Sequence, residues 1–263
     1  MAADPGLGEE HRLGLGGGED VAVRFAAPQD AELAILYLHG FGSCQDGEKA
    51  AYFRRRALAS GFAFCSFDFR GHGRSGGSLA DLTMTRNLDD AEAVAAWLGE
   101  RWSGPMAFFG SSMGAAAGLW LAARRPKGPA GRLGAGVCIA PALHLRRSLA
   151  ERCGPEGLAH WRRTGRLRMS TDLVSADLGW CLMDDLATYP AAELAPLQRA
   201  PALILQGSAD ESVDWREVAA FAAACPVGSA VELHLFAGGD HRLISWKDRL
   251  WELAAGFLRP RPG

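Results

Sequence analysis

The sequence predicts an α/β protein with a mostly parallel central sheet flanked by helices and carrying one helical insertion. Three observations carry that prediction. Short apolar runs of strand length recur along the chain, each followed by a longer segment of helical spacing, the alternation expected of a parallel sheet covered on both faces. The alternation breaks once, between Ala142 and Ala200, and then resumes. A length of 263 residues with 48% hydrophobic content suffices to bury one full core, so a single domain is expected.

Taken in order, Val21–Phe25 and Ala34–Leu38 read as strands, Gly47–Ser60 as a helix and Phe62–Phe67 as the next strand. Thr83–Arg101 reads as a helix, Met106–Phe109 as a strand, Ser112–Arg124 as a helix and Gly136–Ala140 as a strand. Beyond Pro141 the aromatic-bearing stretches around Trp161, Trp180 and Tyr189 read as helical and without strands, punctuated by Gly154-Pro155, Gly165 and Pro190. Ala202–Leu205 and Val231–Phe236 then read as strands, Asp214–Ala224 and Leu243–Leu258 as helices. The expected organisation is a core of residues 1–141 and 201–263 with a helical cap at 142–200. The Gly/Pro-rich segments Gly14–Gly18 and Pro260–Gly263 read as frayed.

Charge narrows the function. With 28 Lys+Arg against 30 Asp+Glu, no global field gathers nucleic acid or an anionic membrane, and a small substrate fits better. Cys44, Cys65, Cys138, Cys153, Cys181 and Cys225 are scattered, with no C-x-x-C pair and no Cys/His spacing for a metal, as in a reducing compartment. Met1–Leu15 has neither an apolar signal core nor an acid-poor, Arg-rich transit character, and no run reaches the roughly 18 apolar residues of a membrane span. A cytoplasmic location is the expectation.

Gly110-Ser111-Ser112-Met113-Gly114 matches G-x-S-x-G, a weak string in a chain with 33 glycines. Gly73-Arg74-Ser75-Gly76-Gly77 matches it too. Context separates them, because an exposed nucleophile needs a strand entering a sharp turn and leaving as a helix. Ser112 has Met106–Phe109 before it and Ala115–Leu121 after it; Ser75 has no helix directly behind it. The same loop holds Gly71-x-Gly73-x-x-Gly76, superficially a dinucleotide fingerprint, but it neither opens the first βα unit nor runs into a helix. A surface turn is the better reading there.

A serine hydroxyl becomes a nucleophile when an imidazole takes its proton and a carboxylate fixes that imidazole. Of the seven histidines, only His234 and His241 follow a plausible acid, and His234 lies inside a strand. His241, in Ala237-Gly238-Gly239-Asp240-His241, falls in the loop past the last strand and is the candidate base. Asp210 emerges after Ala202–Leu205 and is the candidate acid. Its competitors are Asp214, better placed as a helix cap, and Asp240, whose adjacency to His241 aims it poorly. The backbone N–H groups of Met113 and Phe41 are the candidate oxyanion donors, and His39 reads as a structural loop residue.

His39-Gly40-Phe41, Asp68–Ser75, Gly110–Gly114, Gly207–Asp210 and Gly239–His241 together resemble the α/β-hydrolase superfamily over nearly the whole chain. A finer resemblance, to its palmitoyl-protein thioesterase and acyl-glucuronide esterase branch, rests on His39-Gly40-Phe41 leading to Gly47-x-Lys49-Ala50, on Asp210-x-x-Val213-x-Trp215 and on Asp240-His241-Arg242. The resemblance implies an α/β-hydrolase fold and cleavage of small-molecule or acyl esters and thioesters by an acyl-enzyme route that requires no metal or organic cofactor. The cap's first half is basic, with Arg146, Arg147, Arg152, Arg162, Arg163, Arg166 and Arg168, which suits either a solvated helix face or an anionic leaving group. Trp161, Trp180 and Met183 are candidates for an acyl pocket or for core packing. Two other classes remain: a catalytically idle ligand-binding relative and, on the glycine string alone, an NAD(P)-binding oxidoreductase.

Overall fold

A computed structural model of the chain describes residues 8–125, 129–171 and 174–259. The first elements are β1 (Glu9–Gly16), β2 (Glu19–Ala26), β3 (Ala34–Leu38), α1 (Glu48–Ala59), β4 (Ala63–Phe67), α2 (Met84–Arg101), β5 (Met106–Ser111), α3 (Met113–Arg124) and β6 (Leu133–Ile139). There follow α4 (Leu145–Thr164), β7 (Arg166–Ser170), β8 (Ser175–Gly179), α5 (Cys181–Leu186), α6 (Ala191–Leu194), β9 (Ala202–Gly207), α7 (Trp215–Ala224), β10 (Val231–Phe236) and α8 (Lys247–Leu258).

The described residues form an eight-stranded sheet in the order β1-β2-β4-β3-β5-β6-β9-β10, parallel from β4 to β10 and antiparallel at β1 and β2. Because side chains alternate along a strand, each one feeds two cores. Ile35 and Tyr37 of β3, with Phe109 and Leu205, pack against Phe53 of α1 and Trp251 of α8. Leu36 and Leu38, with Phe108 and Ile204, pack against α2, α3 and α7 through Val94, Trp120 and Phe221. Burying one such leucine or phenylalanine stabilises the fold by about 2 kcal/mol. That is the reason for the unbroken apolar runs.

Two expectations are corrected here. Gly14–Gly18 is not frayed: β1 pairs with β2 from Glu9↔Phe25 to Gly16↔Glu19, and Gly16, Gly17 and Gly18 turn the hairpin with φ of 87°, 60° and 80°. That is backbone which glycine adopts without a Cβ penalty. The segment 142–200 is not purely helical either, since β7 and β8 form an antiparallel hairpin within it. The signal is Arg166-Leu167-Arg168-Met169-Ser170, a polar/apolar alternation whose Leu167 and Met169 pack inward while Arg166, Arg168 and Ser170 stay exposed. The remainder is helical, α4 breaking at Gly154-Pro155 where Gly154 has φ 65°. Residues 260–263, also read as frayed, lie outside the described residues.

Sheet order and parallel sense put the functional loops together. The chain leaves β3 toward β4 on one side and returns to β5 on the other, so the order reverses at β3/β5. The crevice at the carboxyl ends of such strands is where open α/β sheets receive ligands. No helix among the described residues is long and apolar enough to cross a membrane.

Candidate active site

Ser112 sits between β5 and α3 at φ 53°, ψ −115°, outside the regions an L residue ordinarily occupies. Such strain costs about 1–3 kcal/mol and persists only when neighbours hold it. Here they do. Its N–H donates to the Ile139 carbonyl at 2.8 Å, and its own carbonyl accepts from Ala116 at 3.1 Å and Ala142 at 3.2 Å. The turn also presses α3 against β3. A Cβ on Gly114 would lie 2.2 Å from the Leu38 carbonyl oxygen, so glycine alone fits.

The rival serine is accounted for structurally. Ser75 Oγ donates to the Asp68 carbonyl at 2.5 Å and accepts from the Ala22 N–H at 2.9 Å, pinning its loop to β2. The glycine string around it leads to a 3₁₀ turn at Leu79–Asp81 and reaches α2 only at Met84, so no helix start stands behind it to receive a pyrophosphate.

His241 Nε2 lies 3.1 Å from Ser112 Oγ and His241 Nδ1 lies 2.8 Å from Asp210 Oδ2. A carboxylate can only accept, so the proton of the neutral ring is on Nδ1 and the Nε2 lone pair faces the serine hydroxyl. The Asp210 side chain is fully buried. Burial alone raises its pKa, but the hydrogen bond and charge of His241 and the N–H groups of Val213 and Ser212, each 2.8 Å from Oδ1, bring the net shift downward. Asp210 therefore stays ionised beside the imidazole. Its competitors are occupied elsewhere, Asp214 accepting from Arg216 N–H at the start of α7 and Asp240 from Leu243 N–H.

His39 is structural. Its Nε2 accepts the Phe69 N–H at 3.0 Å and its Nδ1–H donates to the Gly40 carbonyl at 2.8 Å, while complete burial holds its pKa down at about 4. That ring orders the loop after β3. A Cβ on Gly40 would stand 3.3 Å from Ser112 Cβ, so the loop lies directly on the serine turn. Phe41 and Met113 both line the pocket over Ser112, and their N–H groups have no acceptor among the described residues. Met113 opens α3, whose first N–H groups face outward with the positive end of the helix dipole.

The pocket holds about 770 Å³ and joins Ser112 and His241 to residues of the 142–200 segment. Leu145, Leu149, Met169, Leu178 and Leu182 line it. Trp161 and Met183 do not: Trp161 is fully buried, donates to the Leu178 carbonyl at 3.1 Å and meets Trp180 edge-on at 5.6 Å, while Met183 packs in the core. Most cap arginines are turned to structural partners. Arg146 donates to the Met183 carbonyl at 3.1 Å, Arg147 pairs with Glu217, Arg163 contacts His160 and Arg168 lies 3.5 Å from Asp177.

Two polar residues at the site fall outside the catalytic set expected from sequence. Gln206 is fully buried and donates from Nε2 to Asp210 Oδ2 at 3.0 Å. Its signal was a lone amide closing the apolar run Ala202–Leu205, four residues before the acid. Lys49 donates at 2.8 Å to the Oγ of Ser111, the residue just before Ser112.

A strained serine turn at the reversal point of a mostly parallel eight-stranded sheet, with His241 and Asp210 on the same edge, has the architecture of the α/β-hydrolases. Comparison with known proteins gives the family. The sequence profile of the serine aminopeptidase S33 hydrolases matches residues 29–170, over half of the chain, and the chain belongs to that family. It is similar to the mouse mitochondrial palmitoyl-protein thioesterase ABHD10, with 25% identity over 217 residues covering 80% of this chain and 69% of the mouse protein. Among solved structures, a protein of Agrobacterium vitis S4 assigned as a hydrolase shares 27% identity at a TM-score of 0.82, over 95% of this chain and 98% of that one. Est1E of Butyrivibrio proteoclasticus with ferulic acid bound shares the fold at a TM-score of 0.78 and 18% identity, over 94% and 99% of the two chains. The chain is thus a member of an α/β-hydrolase family, and a thioesterase stands among its relatives.

Proposed function

We propose that this protein hydrolyses carboxylic esters or thioesters of small molecules or acylated substrates by two-step acyl transfer, with Ser112 as nucleophile, His241 as general base and acid, and Asp210 as the group that orients and stabilises His241. The single observation that carries this is the continuous hydrogen-bond chain from Ser112 Oγ through His241 to Asp210. His241 Nε2 takes the hydroxyl proton as Ser112 Oγ attacks the carbonyl carbon. The tetrahedral oxyanion is held by the N–H groups of Phe41 and Met113, each such donor contributing on the order of 10²- to 10³-fold. Collapse breaks the ester or thioester bond, and His241 gives its proton to the departing alkoxide or thiolate. The base then deprotonates a water that attacks the acyl-enzyme, and Ser112 is restored as the acid departs.

In this reading residues 142–200 form a cap over the core of 1–141 and 201–263, and its leucines and Met169 receive the acyl portion. The thioesterase and ferulic-acid-binding relatives support ester and thioester substrates without choosing between them. Labelling with a fluorophosphonate tests the reading. The wild type is expected to label and Ser112→Ala is not; a wild type that stays unlabelled sinks it.

A further inference from the structure

The Gly47-x-Lys49-Ala50 motif has no part in the acyl-transfer steps, yet Lys49 lines the same pocket as Ser112 and His241. An ammonium has three donors, and the Ser111 hydroxyl at 2.8 Å takes one. No carboxylate of the described residues forms an ion pair with it. The nearby charges are Arg242, which disfavours its protonated form, and Asp240, Asp210 and Glu48, which favour it. These carboxylates are engaged already: Glu48 with Arg242 at 3.1 Å, Asp210 with His241 and Asp240 with the Leu243 N–H. Glu217, on another part of the lining, pairs with Arg147 and lies 3.7 Å from His144.

Among the described residues the pocket's carboxylates are all matched, while two of its cations have no carboxylate partner: Lys49 on α1, part-buried, and Arg152 on α4, exposed and alone among the cap arginines in lining the pocket. A cation held part-buried without a counter-charge, as Lys49 is, is costly unless an incoming ligand completes it, whereas the exposed Arg152 is hydrated and bears no such cost. The desolvation shows in Lys49 itself, whose pKa burial, aided by Arg242, pushes down to about 8.

We propose that this pocket contains a carboxylate subsite, with Lys49 as its specificity-determining residue and Arg152 as a second cation, so that the preferred substrates are esters or thioesters that themselves carry a carboxylate. The inference rests on the acyl-transfer reading above and specifies its substrate class. The amine next to the nucleophile turn supplies a charge-assisted hydrogen bond, and the α4 guanidinium adds attraction across a pocket whose leucines exclude water.

The test compares two matched pairs of p-nitrophenyl-type esters on the full-length protein. One pair places the carboxylate on the acyl side, as the glutarate half-ester against the butyrate. The other places it on the leaving group, as the butyrate ester of 4-hydroxybenzoate against that of phenol. In at least one pair the wild type is expected to show a higher kcat/KM for the carboxylated member, and the responsive pair locates the subsite. In Lys49→Met the carboxylated-to-neutral ratio in that pair should fall about 10- to 100-fold, chiefly through KM. Lys49→Arg should restore most of it, and Arg152→Met should lower it several-fold. A ratio that changes less than about threefold in Lys49→Met, or no preference in either pair, overturns the subsite. Equilibrium binding of both members of the responsive pair to Ser112→Ala reads the preference without turnover: tighter binding of the carboxylated compound supports the subsite, and equal binding overturns it. Loss of the acyl-transfer reading and loss of the subsite are therefore distinguishable.

Discussion

Gln206 Nε2 and His241 Nδ1 converge on one oxygen of Asp210, at 3.0 Å and 2.8 Å, while the other oxygen takes the N–H groups of Ser212 and Val213. Every lone-pair direction that matters is assigned, so the carboxylate cannot rotate away from the imidazole. The amide orientation is fixed by the same logic, because a reversed Gln206 would aim its carbonyl oxygen at the carboxylate. Gln206→Leu is expected to lower kcat about 10-fold with KM little changed, since it loosens Asp210 without touching substrate. Asp210→Asn should cost about 10³- to 10⁴-fold, because the amide can donate to Nδ1 and favour the wrong tautomer. Steady-state kinetics on one chromogenic ester checks both. A Gln206→Leu enzyme with wild-type kcat would remove Gln206 from the positioning role.

The two serines of the G-x-S-x-G strings should separate cleanly. Ser112→Ala is expected to lower turnover by at least about 10⁴-fold while unfolding like the wild type. Ser75→Ala should keep fluorophosphonate labelling but lose about 1–3 kcal/mol of stability, because the Ala22 N–H and the Asp68 carbonyl both lose their hydroxyl partner. Urea unfolding run beside the labelling assay reads both quantities. Loss of labelling in a well-folded Ser75→Ala would reverse the assignment.

Gly114→Ala adds one methyl group where α3 meets β3, with the Leu38 carbonyl oxygen 2.2 Å away and the His39 carbonyl oxygen 2.5 Å away. Both obstacles are backbone, so relief requires moving the helix and with it the serine turn. The expected result is a loss of at least about 3 kcal/mol or failure to accumulate as folded protein. Thermal unfolding measures it; a midpoint within a degree or two of the wild type would show that α3 shifts freely.

Acid should unsettle the loop after β3 before carboxylates titrate. His39 and His72 are buried with ring centroids 5.0 Å apart, burial holding their pKa values down at about 4 and about 3, with the charge of His39 a further cause for His72. Folded values below the ordinary value of 6.5 mean that the unfolded chain binds these protons first. Their contribution to stability is therefore complete above about pH 6.5 and is lost progressively toward about pH 4 for His39 and about pH 3 for His72, at up to about 1.4 kcal/mol per pH unit for each ring. His39→Gln keeps a donor and an acceptor but cannot titrate. Between pH 6.5 and 5 the slope of unfolding free energy against pH should drop by up to one proton's worth in that variant. An unchanged slope would show that His39 is protonated in the folded protein.

Much of this was legible in the chain itself. Ala34–Leu38 matches β3 residue for residue because a fully buried parallel strand leaves a continuous apolar run, and Val231–Phe236 matches β10, a half-buried edge strand in which Glu232 and His234 alternate with Val231 and Leu233. Thr83 and Asp214, at the starts of two expected helices, are N-caps that accept from Arg86 and Arg216 N–H groups. The hairpin β7–β8 was missed although Arg166–Ser170 alternates, since five residues flanked by helical stretches make a faint period-2 signal. β1 was missed because glycines at Gly14, Gly16, Gly17 and Gly18 mask a strand whose partner, not its composition, holds it.

The sequence by itself determined the sheet's alternation, the strand–serine–helix context that singled out Ser112 over Ser75, and the chain order in which Asp210 and His241 follow it. Those are local properties: burial periodicity, turn chemistry and position relative to a strand end. Only the tertiary structure decided that His241 Nε2 stands 3.1 Å from Ser112, that Gln206 clamps Asp210, and that Lys49 and Arg152 line the pocket without a carboxylate partner among the described residues. Those depend on which residues far apart in sequence share an edge and which charges find partners. Partnering is settled by packing, where a few ångströms separate a neutralised arginine from one left facing the pocket.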